Sequence, residues 1–211
     1  MNNILIVGAH YDDAELAVAG TAAKLVDEGK NVYKLTLTDN ETDSEHLNLR
    51  IEYEKSLNES GKACEVLGVT ELVEFEPIKC NYLTYDTEVM QRIESIIYKY
   101  EIDTIFIHCL DDMNQDHIAA HNLCKTASRH CDNVLTYQSN IYALSQAFYP
   151  TYFVDVTDYI EKKIEALNQY TDGHDRFQRL FETTIERNKV WGYSNKVQYA
   201  EGFVPIKALL R

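Results

Sequence analysis

Basic charge is what this chain has least of. Its 211 residues carry 20 lysines and arginines against 34 aspartates and glutamates, a formal net charge of -14. Nucleic-acid backbones and anionic lipid surfaces need a basic face. Neither is an expected partner, and the excess acid reads as a well-solvated surface. Long apolar runs are missing too. No stretch approaches the roughly 18 residues of a spanning helix, so no integral membrane segment is expected. Met1-Asn2-Asn3 leads into the first apolar segment with neither a basic region nor a cleavage site, so no signal peptide is expected. The five cysteines, Cys64, Cys80, Cys109, Cys124 and Cys131, are odd in number and lack Cys-x-x-Cys spacing. That speaks against a disulfide framework and for reduced, mostly buried thiols in a cytoplasmic protein. Repeats, low-complexity tracts and flexible linkers are absent as well. With 45% apolar residues, the chain has material for one α/β domain spanning residues 1–211.

The apolar pattern alternates between strand and helix. Residues 3–8 read as a buried strand and 14–28 as a small-residue helix closed by Gly29. Residues 32–37 form a second strand, followed by a polar loop over 38–44. Residues 45–67 carry a long amphipathic pattern ending at Gly68, with a break expected near Gly61. A third strand is predicted over 71–75, a loop over 77–86, a helix over 87–100 and a buried strand over 102–107. A helix over about 116–130 follows. Further strands are expected at 134–137 and 152–156, further helices at 157–170 and 174–190, and a pairing or packing tail at 197–206. This order implies a mostly parallel sheet with right-handed crossovers.

Two strand ends carry the chemistry. The first is His10-Tyr11-Asp12-Asp13-Ala14-Glu15. The second, after the later buried strand, is His108-Cys109-Leu110-Asp111-Asp112-Met113-Asn114-Gln115-Asp116-His117. The carboxyl ends of parallel strands converge on one crevice. There, two histidines and a carboxylate with open positions make a hydrolytic metal site. A dinucleotide or phosphate loop is excluded: no Gly-x-Gly-x-x-Gly or Gly-Lys-Ser spacing occurs, and paired carboxylates repel a pyrophosphate. Of the adjacent pair Asp12-Asp13, one carboxylate can bind the metal while the other faces its water as general base.

These residues resemble the PIG-L/LmbE-like zinc N-deacetylases. His10-Tyr11-Asp12-Asp13-Ala14-Glu15 is similar to the His-Pro-Asp-Asp-x-Glu signature. Ala19-Gly20-Thr21 matches a Gly-Gly-Thr segment, and Asp111-x-x-Asn114-Gln115-Asp116-His117 resembles the second motif. Val154-Asp155-Val156-Thr157 and Tyr199-Ala200-Glu201-Gly202-Phe203 resemble later landmarks. The resemblance implies a Rossmann-like three-layer α/β fold and N-deacetylation of an amino sugar, sugar nucleotide or related glycoconjugate by attack of metal-bound water. It implies His10, Asp13 and His117 as zinc ligands and Asp12 as general base. Asp116 would orient a histidine or the water. Tyr11 replaces the usual proline. Asn114 stands where many members have a histidine. It can donate a hydrogen bond to an oxyanion but cannot deliver a proton, which leaves His108 or Asp12 as the acid.

Other readings stay open. An amidase acting on a non-sugar N-acyl substrate, and a catalytically silent metal- or glycan-binding homologue, fit the same ligands. Two nitrogens and a carboxylate also accept iron or manganese. His121 could pair with His117 on one helix face. Asp111 and Asp112 read as loop or cap residues, with substrate contact the alternative. Arg187, Trp191 and Glu201 are either structural or on the substrate side. The aromatics Tyr142, Phe148, Tyr149, Tyr152 and Phe153 read as core, with sugar stacking the alternative. His46, His130 and His174 read as surface residues. Homo-oligomerisation is left open.

Overall fold

A computed structural model of the protein describes residues 1–47, 49–142, 146–171 and 176–209. His174 lies outside them, while His46 and His130 are exposed as expected. The order is β1 (Asn3–Gly8), α1 (Asp13–Asp27), β2 (Asn31–Thr36), β3 (Thr42–Ser44), β4 (Leu49–Ile51), α2 (Tyr53–Leu67), β5 (Thr70–Glu71), α3 (Thr87–Lys99), β6 (Thr104–His108), α4 (Gln115–Ala127), β7 (Asn133–Tyr137), β8 (Tyr152–Asp155), α5 (Ile160–Leu167), α6 (Arg176–Ser194) and β9 (Ala200–Lys207).

Seven strands form one sheet in the order β5-β2-β1-β6-β7-β9-β8. The first five run parallel, and β9 runs antiparallel to both neighbours. Helices cover both faces, because the strands are apolar on both. Leu5 and Val7 of β1 join Ile93, Ile96 and Leu123 of α3 and α4 in one core. Ile4 and Ile6, pointing the other way, join Ala17, Ala63 and Ala166 of α1, α2 and α5 in the second. Period-two side chains with both faces buried require this three-layer arrangement. Successive strands leave β1 on one side as β2 and β5, and on the other as β6 and β7. The strand order therefore reverses between β1 and β6, and a crevice opens beyond their carboxyl ends. No described helix is long and apolar enough to cross a membrane, and all five cysteines are free and buried.

Some boundaries differ from expectation. Residues 45–67 are not one helix: a 3-10 turn (Glu45–Leu47) and β4 precede α2. Thr42 pairs with Ile51 and Ser44 with Leu49 in a small antiparallel hairpin, so backbone pairing takes residues whose spacing also suited a helix. Gly61 does not break α2, since tertiary packing carries the helix through it. The third strand shortens to β5, and Leu72 and Phe75 turn into the core instead. The tail becomes β9, inserted between β7 and β8.

Glu201 sits on β9, fully buried, and does not face the substrate side. Its carboxylate accepts from the Gly20 and Thr21 N–H groups in the middle of α1, at 3.1 and 2.7 Å. Lys163 of α5 pairs with it at 2.6 Å and donates to the Leu16 carbonyl at 3.0 Å. A Cβ on Gly20 would lie 2.8 Å from Val156, so the close approach here needs glycine. Removing one partner of a fully buried pair strands the other charge. Glu201→Gln is expected to lower stability by about 3–5 kcal/mol. A urea midpoint equal to that of the unaltered protein would refute this.

Candidate metal centre

The centre is built where β1 and β6 end side by side. β1 turns sharply at Gly8, whose added Cβ would meet the His10 carbonyl oxygen at 2.7 Å. Asp13, the first residue of α1, reaches back and accepts the His10 N–H through Oδ2 at 2.8 Å. On the other side, β6 ends at His108, and Asn114 caps α4 by accepting the Asp116 N–H at 2.8 Å. That cap orients the first turn, which carries Asp116 and His117.

Three donor atoms converge. His10 Nδ1 is 3.1 Å from His117 Nε2. Asp13 Oδ2 is 3.5 Å from His10 Nδ1, and Asp13 Oδ1 is 3.3 Å from His117 Nε2. The far side of each ring is occupied: His10 Nε2 faces Asp116 Oδ2 at 3.2 Å, and His117 Nδ1 faces Asp112 Oδ2 at 3.0 Å. A neutral imidazole has one proton, and each carboxylate draws it to that far nitrogen. The lone pairs of His10 Nδ1 and His117 Nε2 then point at each other and at a carboxylate. Three acceptors at this spacing repel unless a cation lies among them. Metal–ligand bonds of about 2.0–2.1 Å in a tetrahedron imply ligand–ligand edges of about 3.3 Å. The donor set therefore fits a divalent transition-metal ion.

The electrostatics agree. Burial works against charge on both histidines, yet the carboxylates win. Asp116 and Asp13 hold His10 well above the ordinary imidazole value, and Asp13 and Asp112 hold His117 up at about 9. Burial likewise opposes the Asp13 charge, but His117 and His108 keep its carboxyl well below the usual range. Asp12 is different: burial and the adjacent Asp13 push it up to about 6.

A cavity of about 560 Å³ opens over the centre. His10, Asp12, Asp13 and Asn114 line it, with Asn40, Thr42, Asn81, Asn140 and Tyr142 on its wall. Asp12 is half-buried and its side chain does not cap α1. Asp116 and His117 lie beneath, fully buried. His108 is also fully buried. It stands 3.1 Å from Asp13 Oδ2, and its ring stacks on His117 at 4.1 Å. Burial first, then His117, drive its pKa down to about 4. Its Nδ1 has no hydrogen-bond partner among the described residues. His121 turns away, with Nδ1 against the His108 carbonyl at 2.7 Å. Arg187 lies over the Trp191 ring at 5.0 Å and does not line this cavity.

Asp112 is the site residue that the sequence left as a loop or cap. It closes a turn just before the helix cap, accepting the Asn114 N–H through Oδ1 at 2.8 Å, while Oδ2 holds His117. The available signal was an acidic residue five positions before a ligand histidine, with an Asx turn between them.

Fold and donor set define the class: an α/β protein with a candidate metal centre of the two-histidine, one-carboxylate kind. The chain belongs to the PIG-L family, described as GlcNAc-PI de-N-acetylase, which residues 5–128 match. That span runs from β1 through α4 and holds every ligand candidate. The chain is 25% identical over 173 residues to the uncharacterized deacetylase YaiS of Escherichia coli K12, covering 79% of this chain and 89% of that one. Among solved structures, N,N'-diacetylchitobiose deacetylase of Pyrococcus horikoshii superposes with a TM-score of 0.78 at 21% identity, over 97% of this chain and 84% of that one. GalB of Pseudomonas putida KT2440, a 4-carboxy-2-hydroxymuconate hydratase, superposes with a TM-score of 0.81 at 18% identity, over 100% and 98%. The structural likeness carries the fold, and fold alone does not fix a reaction.

Asp112→Asn keeps the turn but weakens the acceptor behind His117. Metal affinity is expected to fall about 10–100-fold, measured by competition with a chromophoric chelator. Affinity equal to that of the unaltered protein would remove Asp112 from the site.

Proposed function

We propose that this protein is a metal-dependent N-deacetylase, most simply a zinc enzyme, that removes an acetyl group from the nitrogen of an amino sugar or related small glycoconjugate. The observation that carries the proposal is Asp12, a half-buried carboxylate on the cavity wall beside a complete donor set. His10, Asp13 and His117 would hold the ion. When bound, it supplies Lewis-acid polarisation of the carbonyl and lowers the pKa of water.

The chain's own residues supply the rest. Asp12 takes a proton from the attacking water. Asn114 spends its side-chain oxygen on the Asp116 N–H, which leaves its Nδ2–H groups for the developing oxyanion. The leaving amine needs a proton. His108 is buried behind the donor set and does not line the cavity, so it is poorly placed to deliver one. Asp12 returns the proton it took, acting first as base and then as acid. Amides and hydroxyls on the wall, from Asn40, Thr42, Asn81 and Asn140, suit the hydroxyl groups of a sugar, and Tyr142 offers a ring face. Membership of a deacetylase family and the likeness to a diacetylchitobiose deacetylase support the substrate class. The hydratase with the same fold makes acetate the product to measure.

Metal analysis of the purified protein, with acetate release from a panel of N-acetylated glycosides and sugar nucleotides, tests the proposal. A protein that carries no transition metal and gains no activity from zinc would refute it. Asp12→Asn should keep its metal and lose about 10²–10⁴-fold in rate; hydrolysis at the unaltered rate would take the base role from Asp12. Aspartate caps helices as well as asparagine does, so Asn114→Asp should stay folded. It lacks the donor, and its rate should fall about 10²–10³-fold. Equal rates with asparagine and aspartate would exclude Asn114 as an oxyanion donor.

A further inference from the structure

The outward side of His10 carries a second donor set. His10 Nε2 and Asp116 Oδ2 are 3.2 Å apart, the same edge length as in the inner centre. The Cys80 sulfur completes a trio whose donor atoms all lie within 4.8 Å of one another. Cys80 reaches this place because the loop before α3 is pinned there. Its N–H donates to Asp39 at 2.9 Å, and the next residue, Asn81, donates its N–H to Asp116 at 2.7 Å. The thiol is buried but borders two open spaces, the cavity over the inner centre and one of about 470 Å³ behind the β3–β4 hairpin.

We infer that His10 Nε2, Cys80 and Asp116 form a second metal site that takes a soft divalent ion of the zinc, cobalt or cadmium class. The inference rests on the metal reading of the inner centre, because His10 then bridges two ions through its two nitrogens. The inner set offers one carboxylate and no sulfur. The outer set offers a thiolate and a carboxylate, and sulfur selects zinc-like ions over manganese or magnesium. The inner centre fills first, since its donor groups already lie 3.1–3.5 Å from one another. Binding the outer ion releases the Cys80 thiol proton and the His10 Nε2 proton to solvent.

Titrating Co2+ into the full-length protein tests this. The first equivalent should bring only ligand-field bands. The second should add a sulfur-to-cobalt charge-transfer band in the near ultraviolet. Cys80→Ser and Cys80→Ala should lose that band and the second equivalent while keeping the first. His117→Ala should lose the sulfur-free equivalent and keep the band, so failure of the inner centre and failure of the outer site are read separately. A second equivalent without the band, no second equivalent, or a band that survives in Cys80→Ser would overturn the proposal. None of these readouts depends on acetate release.

Discussion

Everything in this structure turns on three acceptor atoms aimed at one point. Left alone, His10 Nδ1, His117 Nε2 and the Asp13 carboxylate would push each other apart. They stay together because each is fixed from behind, and the fixing is done largely by backbone. The His10 N–H holds Asp13. The Asn114 N–H holds Asp112, which holds His117. The Asn81 and Leu83 N–H groups hold Asp116, which holds His10. Hydrogen bonds to a charged acceptor contribute about 1.5–3 kcal/mol each, so the acceptors are held in place before any ion arrives. Residues more than a hundred positions apart meet here only because β1 and β6 are neighbours at the point where strand order reverses.

The same loop is tied down from its other side. Lys34 of β2 is fully buried and pairs with Glu15 at 2.8 Å. Its Nζ also donates to the Tyr11 carbonyl at 2.6 Å, and the Tyr170 hydroxyl donates to that carbonyl at 2.7 Å. Two donors therefore fix the peptide that joins Tyr11 to Asp12. Glu15, the last residue of the first motif, belongs to this anchor and not to the donor set. Lys163 and Glu201 do the corresponding work on the middle of α1. A charge pair buried this deeply adds little net stability. It does hold the helix that begins at Asp13 in one position.

Much of this was readable from the sequence, for identifiable reasons. Apolar runs buried on both faces leave a plain signal, so β1, β6 and the parallel sheet were legible. His10, Asp12, Asp13, Asn114, Asp116 and His117 do meet around one centre, because strand ends in such sheets must converge. The β3–β4 hairpin was not legible: three-residue strands offer no period to detect. Asp112 was not, because its two partners depend on a side-chain direction. The segment over 77–86 is a loop, as its composition predicts. Its contribution is made by the N–H groups of Asn81 and Leu83, which any residue but proline would supply, so no residue type could have announced it. Glu201 was undecided between structure and substrate because Lys163, 38 positions away, marks it only once the chain has folded.

Sharing a fold with a hydratase narrows what must distinguish a deacetylase. Both reactions need an activated water and a polarised oxygen, and the sheet can present either. Amide hydrolysis also needs a proton at the departing nitrogen, because an amide anion is too poor a leaving group. In the proposed reaction that demand falls on Asp12. In that reading the other nearby candidates have other work: His10 and His117 would hold the ion, Asp112 and Asp116 hold the rings, and Asn114 caps a helix and would meet the oxyanion. His108 is sealed beneath them. A carboxylate lifted to about 6 by burial and by Asp13 gives up a proton less readily than an ordinary aspartic acid and accepts one more readily. In the proposed reaction Asp12 therefore carries both halves of the proton exchange, from the cavity wall beside the donor set.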